Sequence, residues 1–256
     1  MGLLHYMKRE TAVTVHPEIS IDNFTIQDAD ISFFSLIRSI YLRYPIKNVL
    51  DYGSGRNYYV QDFDPENHSY FIKDLRDLRF GGANVAAVDV SEAVRTHPTS
   101  NSQLQLVSGA PLPFRDATFD LVVSDFVFEH LESPKQLAQE LQRVVKPGGW
   151  ILARTPNRFG YVAFVASLVP NRLHAAVLRY IQPDRKDLDV FPTHYRINTA
   201  SAARGCFDQC EVSVVSNHWE PQYFFGKRWL YRVNLLIHAL LPSSLGMTSI
   251  FMMRRN

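Results

Sequence analysis

The stretch "NVLDYGSGRN", residues 48–57, decides the fold. An apolar run, an acid and a Gly-Ser-Gly turn read as a buried strand feeding a nucleotide-binding loop. Glycine suits that loop because it accepts a left-handed backbone and lets a ligand approach closely. The glycines alone do not choose the nucleotide, since dinucleotide folds and other nucleotide folds share them. Asp51, two residues before Gly53, carries more weight. A pyrophosphate over the turn would meet that carboxylate at close range, and like charges repel. A ligand with a cationic amino-acid end would not be repelled. The spacing also argues against a dinucleotide, because the third glycine of G-x-G-x-x-G would fall at Tyr58.

On either side of this stretch, strands alternate with helices. A helix is expected from Asp28 or Asp30, with Phe33, Ile37, Ile40 and Tyr41 at helical spacing and Pro45 ending it. Phe71, Leu75 and Leu78 predict a second helix with Asp74, Arg76, Asp77 and Arg79 on its wet side. "NVAAVDVSEAV" predicts a strand ending at Asp89 and running into a helix, and "QLQLVSG" a third strand. "FDLVVSDFVFEHL" predicts a fourth, buried strand whose polar end carries Asp125, Glu129 and His130. "SPKQLAQELQRVV" is an amphipathic helix with Ser133 as its cap and Pro134 in its first turn. "KPGG" predicts a turn and "WILART" a fifth strand. Residues 158 to 198 interrupt the rhythm. It resumes with a helix near 199 to 207, the strand "CEVSVVSN", the helix "KRWLYRVNLLIHALL" and the strand "TSIFMMR". Such alternation predicts an α/β fold with a parallel sheet covered on both faces.

Composition narrows the function classes. The chain has 256 residues, 27 basic against 25 acidic, for a net charge of +2. That balance speaks against a nucleic-acid partner. Cys206 and Cys210 lack the further Cys or His residues that a metal set needs, so no metal is expected, and reduced thiols predict a cytoplasmic protein. "MGLLHYMKRE" has too short an apolar run for a signal peptide, and Tyr6 breaks the myristoylation pattern. The apolar run "YVAFVASLV" is far short of the roughly 20 residues of a spanning helix.

Four motifs occur in order: "LDYGSGRN", "VDVS", "LPFRDATFDLVVSDFVFEHL" and "KPGG". Together, across about 48 to 155, they resemble the class I S-adenosylmethionine-dependent methyltransferases. The resemblance implies a single Rossmann-like domain over 1–256, with a seven-stranded, mostly parallel sheet whose last strand is antiparallel. Within it, 1–25 is expected to be a loose leader, 27–157 the cofactor-binding core, 158–198 a helical cap and substrate insertion, and 199–256 the completion of the sheet. The implied cofactor is S-adenosyl-L-methionine. Its methionine end would lie over Asp51, Tyr52, Gly53, Ser54 and Gly55, its ribose against Asp89, and its adenine near Val90 and Ala110, with Asp125 and Phe126 on the cofactor side. Three departures from the family pattern stand out. Asn57 replaces the third glycine of the loop, and Gly109 stands where an acid often meets the adenine amino group. Adenine recognition then falls to the backbone near Gly109 and Ala110, or to Ser108. Asp89 also follows Gly55 by 34 residues, against about 20 in simple fingerprints, which implies an insertion.

Methyl transfer from a sulfonium is an in-line displacement in which the protein chiefly aligns the reactants in a dry site. A base is needed when the acceptor is a hydroxyl or a protonated amine. Glu129 and His130 are the candidates, lying just past the fourth strand's carboxyl end. The alternative is that they only pin the next loop by hydrogen bonds. Asn157, Arg158, His194, Tyr195 and Arg196 flank the insertion and are candidate acceptor-binding groups. "SDFV" after the fourth strand lacks the Asn/Asp-Pro-Pro-aromatic turn of an amino-base methylase. The expected acceptor is a small molecule, or a glycan or lipid-linked intermediate, methylated on oxygen. The rival reading is a non-catalytic module that keeps the fold to bind S-adenosylmethionine or a protein. Arg172, Arg179, Arg185, Lys186, Lys227, Arg228 and Arg232 sit among apolar residues in the insertion and last helix. A core-packing cap with solvated charges is the favoured reading there, and contact with a membrane surface the other.

Overall fold

The structure, a computed structural model, describes residues 19–25, 27–160, 193–218 and 227–256. The body of the expected cap, including Arg172, Arg179, Arg185 and Lys186, lies outside the described residues.

Seven strands form one sheet: β1 (Asn48–Tyr52), β2 (Asn84–Asp89), β3 (Ser102–Gln105), β4 (Phe119–Asp125), β5 (Val145–Pro156), β6 (Cys210–Asn217) and β7 (Thr248–Arg255). Their order is β3-β2-β1-β4-β5-β7-β6. β7 runs antiparallel to both β5 and β6, while the pairings among β1 to β5 are parallel. The order reverses between β1 and β4, so the carboxyl ends of β1, β2, β4 and β5 diverge around a crevice.

Strand periodicity splits the core into two layers. Leu50, Val122, Ile151 and Ala153 face one side, with Leu141, Val144 and Phe207 over them. Val49, Leu121, Val123 and Leu152 face the other, under Phe33, Phe34, Ile37 and Ile40. Those last four lie on α1 (Ala29–Arg43), which Asp28 caps by accepting the Asp30 amide. Each such buried side chain contributes roughly 1.5–3 kcal/mol. The first layer is closed by α2 (Pro134–Val144) and α3 (Ala200–Cys206).

Five expectations need correction. Residues 19–25 are not loose, because the Asp22 carboxylate accepts from Ser69 Oγ, Tyr70 N and Phe71 N, each at 2.8 Å. An acid there satisfies the open amides of a helix start. The helix it meets spans only Tyr70–Leu75, and Arg76 just beyond turns inward rather than to water. Ser133 stands at the start of α2 without making a side-chain cap. β3 stops at Gln105, short of the "LVSG" half of its expected span, and the segment after Asp89 forms a 3-10 turn, Glu92–Thr96, rather than a helix.

Candidate cofactor and acceptor site

Backbone hydrogen bonds shape the loop after β1. Gly53 and Ser54 both donate to the Val88 carbonyl, at 2.8 and 3.2 Å. Gly53 has a φ of +72°, and a Cβ on it would come within 2.3 Å of Val127. Gly53 is therefore fixed by packing against the segment after β4. Gly55, at φ +53°, has nothing within 4 Å of an added Cβ. Only there does the loop present bare backbone to open space.

Asp51 and Asp89 flank this opening from the ends of β1 and β2. Asp89 is nearly buried; its Oδ2 accepts from Gly55 N at 2.8 Å and its Oδ1 from Ser91 N at 2.7 Å. Burial pushes its carboxyl up from the ordinary value, and the nearby charge of Asp51 adds to that, against the lowering effect of the amides. Burial and the Asp89 charge likewise push the Tyr52 hydroxyl up to about 12. His97, which sequence reading missed, is buried with Nε2 3.5 Å from Asp51 Oδ2. Nothing in its local pattern marks it.

Asn57 takes a left-handed conformation, φ 46° and ψ 63°, at the start of a single helical turn. Asparagine is among the few residues besides glycine that tolerate this region. Its buried Nδ2 donates to Thr99 Oγ1 at 2.9 Å. The side chain thus ties the loop to the segment before β3.

The expected adenine side is open. Val90, Gly109 and Ala110 are exposed, but the Gly109 carbonyl accepts from Gln136 and the Ala110 amide donates to Val107. Of the three residues considered for that contact, Ser108 has its backbone uncommitted by these bonds.

The other side of the crevice is built from charge. Arg154, on β5 and 2% exposed, donates to Asp125 through Nε at 2.6 Å and Nη2 at 2.8 Å, and to Asp30 at 2.6 Å. Arg76 completes the set, 3.0 Å from Asp30 and 3.5 Å from Asp125. Phe33 and Phe126 lie 4.9 and 4.7 Å from the Arg154 guanidinium. Burial alone would raise the Asp30 carboxyl, but the two guanidiniums outweigh it and hold it below the usual range. The same two acids raise the hold of Arg154 on its proton despite its burial. Asp125, expected on the cofactor side, meets two cations of the chain itself. The signal was present in "WILART": an arginine in a buried strand needs a partner.

Beyond β4 the backbone is strained. Phe126 (φ 56°) and Tyr195 (φ 50°) both occupy the left-handed region. Such residues persist where the surroundings over-determine them, commonly at sites. Glu129 is buried, with Oε2 accepting from Thr155 Oγ1 at 2.7 Å, and His130 Nε2 lies 3.9 Å from Glu129 Oε1. The Glu129 carbonyl also accepts from the amides of His194 and Tyr195. Arg196 donates to the Glu132 carbonyl, so His194, Tyr195 and Arg196 do gather beside Glu129 and His130. Asn157 does not join them: its Nδ2 donates to the carbonyls of Ser244 and Gly246 and its Oδ1 accepts from Phe159, pinning β5 to the turn before β7. Arg158 is exposed beside it.

Two acids around an open glycine fit S-adenosylmethionine by their chemistry. Carboxylates accept from an ammonium and from ribose hydroxyls, while the bare Gly55 backbone leaves room for the ligand. Residues 50–153 match the methyltransferase-domain family Methyltransf_11. Over that segment the chain is similar to S-adenosylmethionine-dependent methyltransferases. That match and the relatives indicate S-adenosyl-L-methionine as the cofactor. An uncharacterized methyltransferase of Mycolicibacterium gilvum is 32% identical over 102 residues, 40% of this chain and 36% of that protein. A Mycolicibacterium smegmatis protein named a probable S-adenosylmethionine-dependent methyltransferase is 38% identical over 80 residues, 30% of this chain and 31% of that protein. The match thus spans only about a third of these relatives. A chain from the complex between the Haloferax volcanii Trm112 methyltransferase activator and a methyltransferase has the same fold. It is 17% identical with a TM-score of 0.52, over 98% of this chain and 94% of that one. Among the described residues, no helix is long and apolar enough to cross a membrane.

Proposed function

We propose that the chain transfers a methyl group from S-adenosylmethionine to a hydroxyl oxygen of a small molecule, or of a glycan or lipid-linked acceptor. The observation that carries this reading is the bare Gly55 backbone between two acids, Asp51 and Asp89, that meet no arginine or lysine among the described residues. In this reading Asp51 holds the amino-acid end and Asp89 the ribose, and the bound cofactor supplies an activated methyl on sulfur. The chain's own residues then position the acceptor and accept its proton. His130, less buried than Glu129 and 3.9 Å from its carboxylate, would take a proton from the acceptor. His194, Tyr195 and Arg196 border the same place and would contact the acceptor. The buried pairing of Asp125 with Arg154 keeps the wall of the crevice rigid during that alignment.

The test is release of S-adenosylhomocysteine, followed by mass spectrometry, across a panel of hydroxylated acceptors. Acceptor-dependent release that falls at least about 100-fold in His130→Ala supports the reading. Tight S-adenosylhomocysteine binding with no turnover on any acceptor would instead favour the non-catalytic module.

A further inference from the structure

The helix Arg228–Leu240, here α4, turns its apolar side outward. Tyr231 is fully buried, whereas Trp229, Val233, Leu236 and Leu240 are 65%, 42%, 59% and 74% exposed. Their spacing of four, three and four residues sets all four on one stripe of the helix. Single exposed apolar residues are ordinary on protein surfaces, but a continuous stripe marks a surface that meets another phase or partner. Arg228 and Arg232 are exposed along this stripe, with Lys227 just before it. No acid occurs from Lys227 to Leu241.

From this pattern we infer that α4 is a docking face for an anionic lipid bilayer. A tryptophan and three aliphatic side chains can enter the headgroup boundary while the flanking arginines pair with lipid phosphates. A second copy of the chain fits less well. A two-fold contact would bring the arginine-bearing stripes together with no carboxylate on either to pair them. The inference is independent of which acceptor is methylated.

Flotation of the full chain with vesicles separates the possibilities. Phosphatidylcholine–phosphatidylglycerol vesicles should carry the protein at low salt, pure phosphatidylcholine far less, and high salt should release it. Arg228→Glu combined with Arg232→Glu should weaken partition at least about tenfold. Trp229→Ser combined with Leu236→Ser should do so comparably. Both pairs alter exposed side chains, so their melting curves should match the parent. Failure to float with the mixed vesicles overturns the inference, as does partition unchanged in both pairs. So does a dimer of the free protein that Leu236→Ser dissociates in ultracentrifugation, since it would assign the stripe to self-association.

Discussion

Asp30 and Asp89 stand on opposite sides of one crevice, and their surroundings push them in opposite directions. Both lose water. Asp30 regains more than it loses, from Arg76 and Arg154, and its carboxyl sits below the ordinary 3.8. Asp89 regains only backbone amides, with Asp51 repelling it, and its carboxyl sits above 3.8. By linkage, Asp30 contributes stability that is complete above pH 3.8 and lost as pH falls through its lower folded value. Asp89 behaves oppositely: its favourable contribution, present below 3.8, is lost as pH rises through its raised value. At neutral pH one acid is a finished scaffold and the other is held ionised at a cost. Donors on a ligand would offset that cost, which is what the proposed ribose contact of Asp89 requires.

The largest way to break the comparison is Arg154→Leu. It leaves two half-buried carboxylates with Arg76 as their one remaining cation among the described residues, and urea unfolding should show a loss of roughly 3–5 kcal/mol. The acid limb of the stability–pH curve should also move to higher pH, because Asp30 loses one of the two guanidiniums that hold its carboxyl down. An unchanged limb would mean that Arg76 alone sustains the pair. On the other side, Asp89→Ala should cost about 1 kcal/mol, by depriving the Gly55 and Ser91 amides of an acceptor. Its signature is a split: a small change in melting temperature beside an abolished response to S-adenosylhomocysteine. A retained response would show the ribose assignment to be wrong. A third substitution, with no effect on ligand binding expected, concerns Asn57. Asn57→Ala combines lost contact to Thr99 with a left-handed backbone and should cost about 1–2 kcal/mol. Asn57→Gly, which relaxes the backbone, should cost less; equal losses in denaturant titrations would place the whole effect in the hydrogen bond.

The two sides also differed in how far sequence could reach them. The glycine loop is local: acid, turn and helix start lie within ten residues, so residue type and spacing expose it. β1, β4 and the Ala29–Arg43 helix were legible for a similar reason, because their periodicity is carried by apolar side chains whose burial decides the element. The charged wall is not local. Arg76 meets Asp30 and Arg154 meets Asp125 only once α1 and three separate strand–helix segments have packed. A helical wheel therefore sends Arg76 to water, where the fold turns it inward. His97 escapes for the same reason, since its proximity to Asp51 depends on the sheet pairing of β1 with β2. Asn57 was legible as an exception in the loop, but the Thr99 contact that explains it depends on the segment leading into β3.

The central claim is that the Asp51–Gly55–Asp89 end of the crevice binds S-adenosylmethionine rather than a dinucleotide. Calorimetric titration of the intact chain with S-adenosylhomocysteine and, separately, with NAD tests it most directly. The account predicts saturable one-to-one binding of S-adenosylhomocysteine, with a rise in melting temperature by mass action, and no comparable response to NAD. No binding of S-adenosylhomocysteine, or equal binding of NAD, would contradict it.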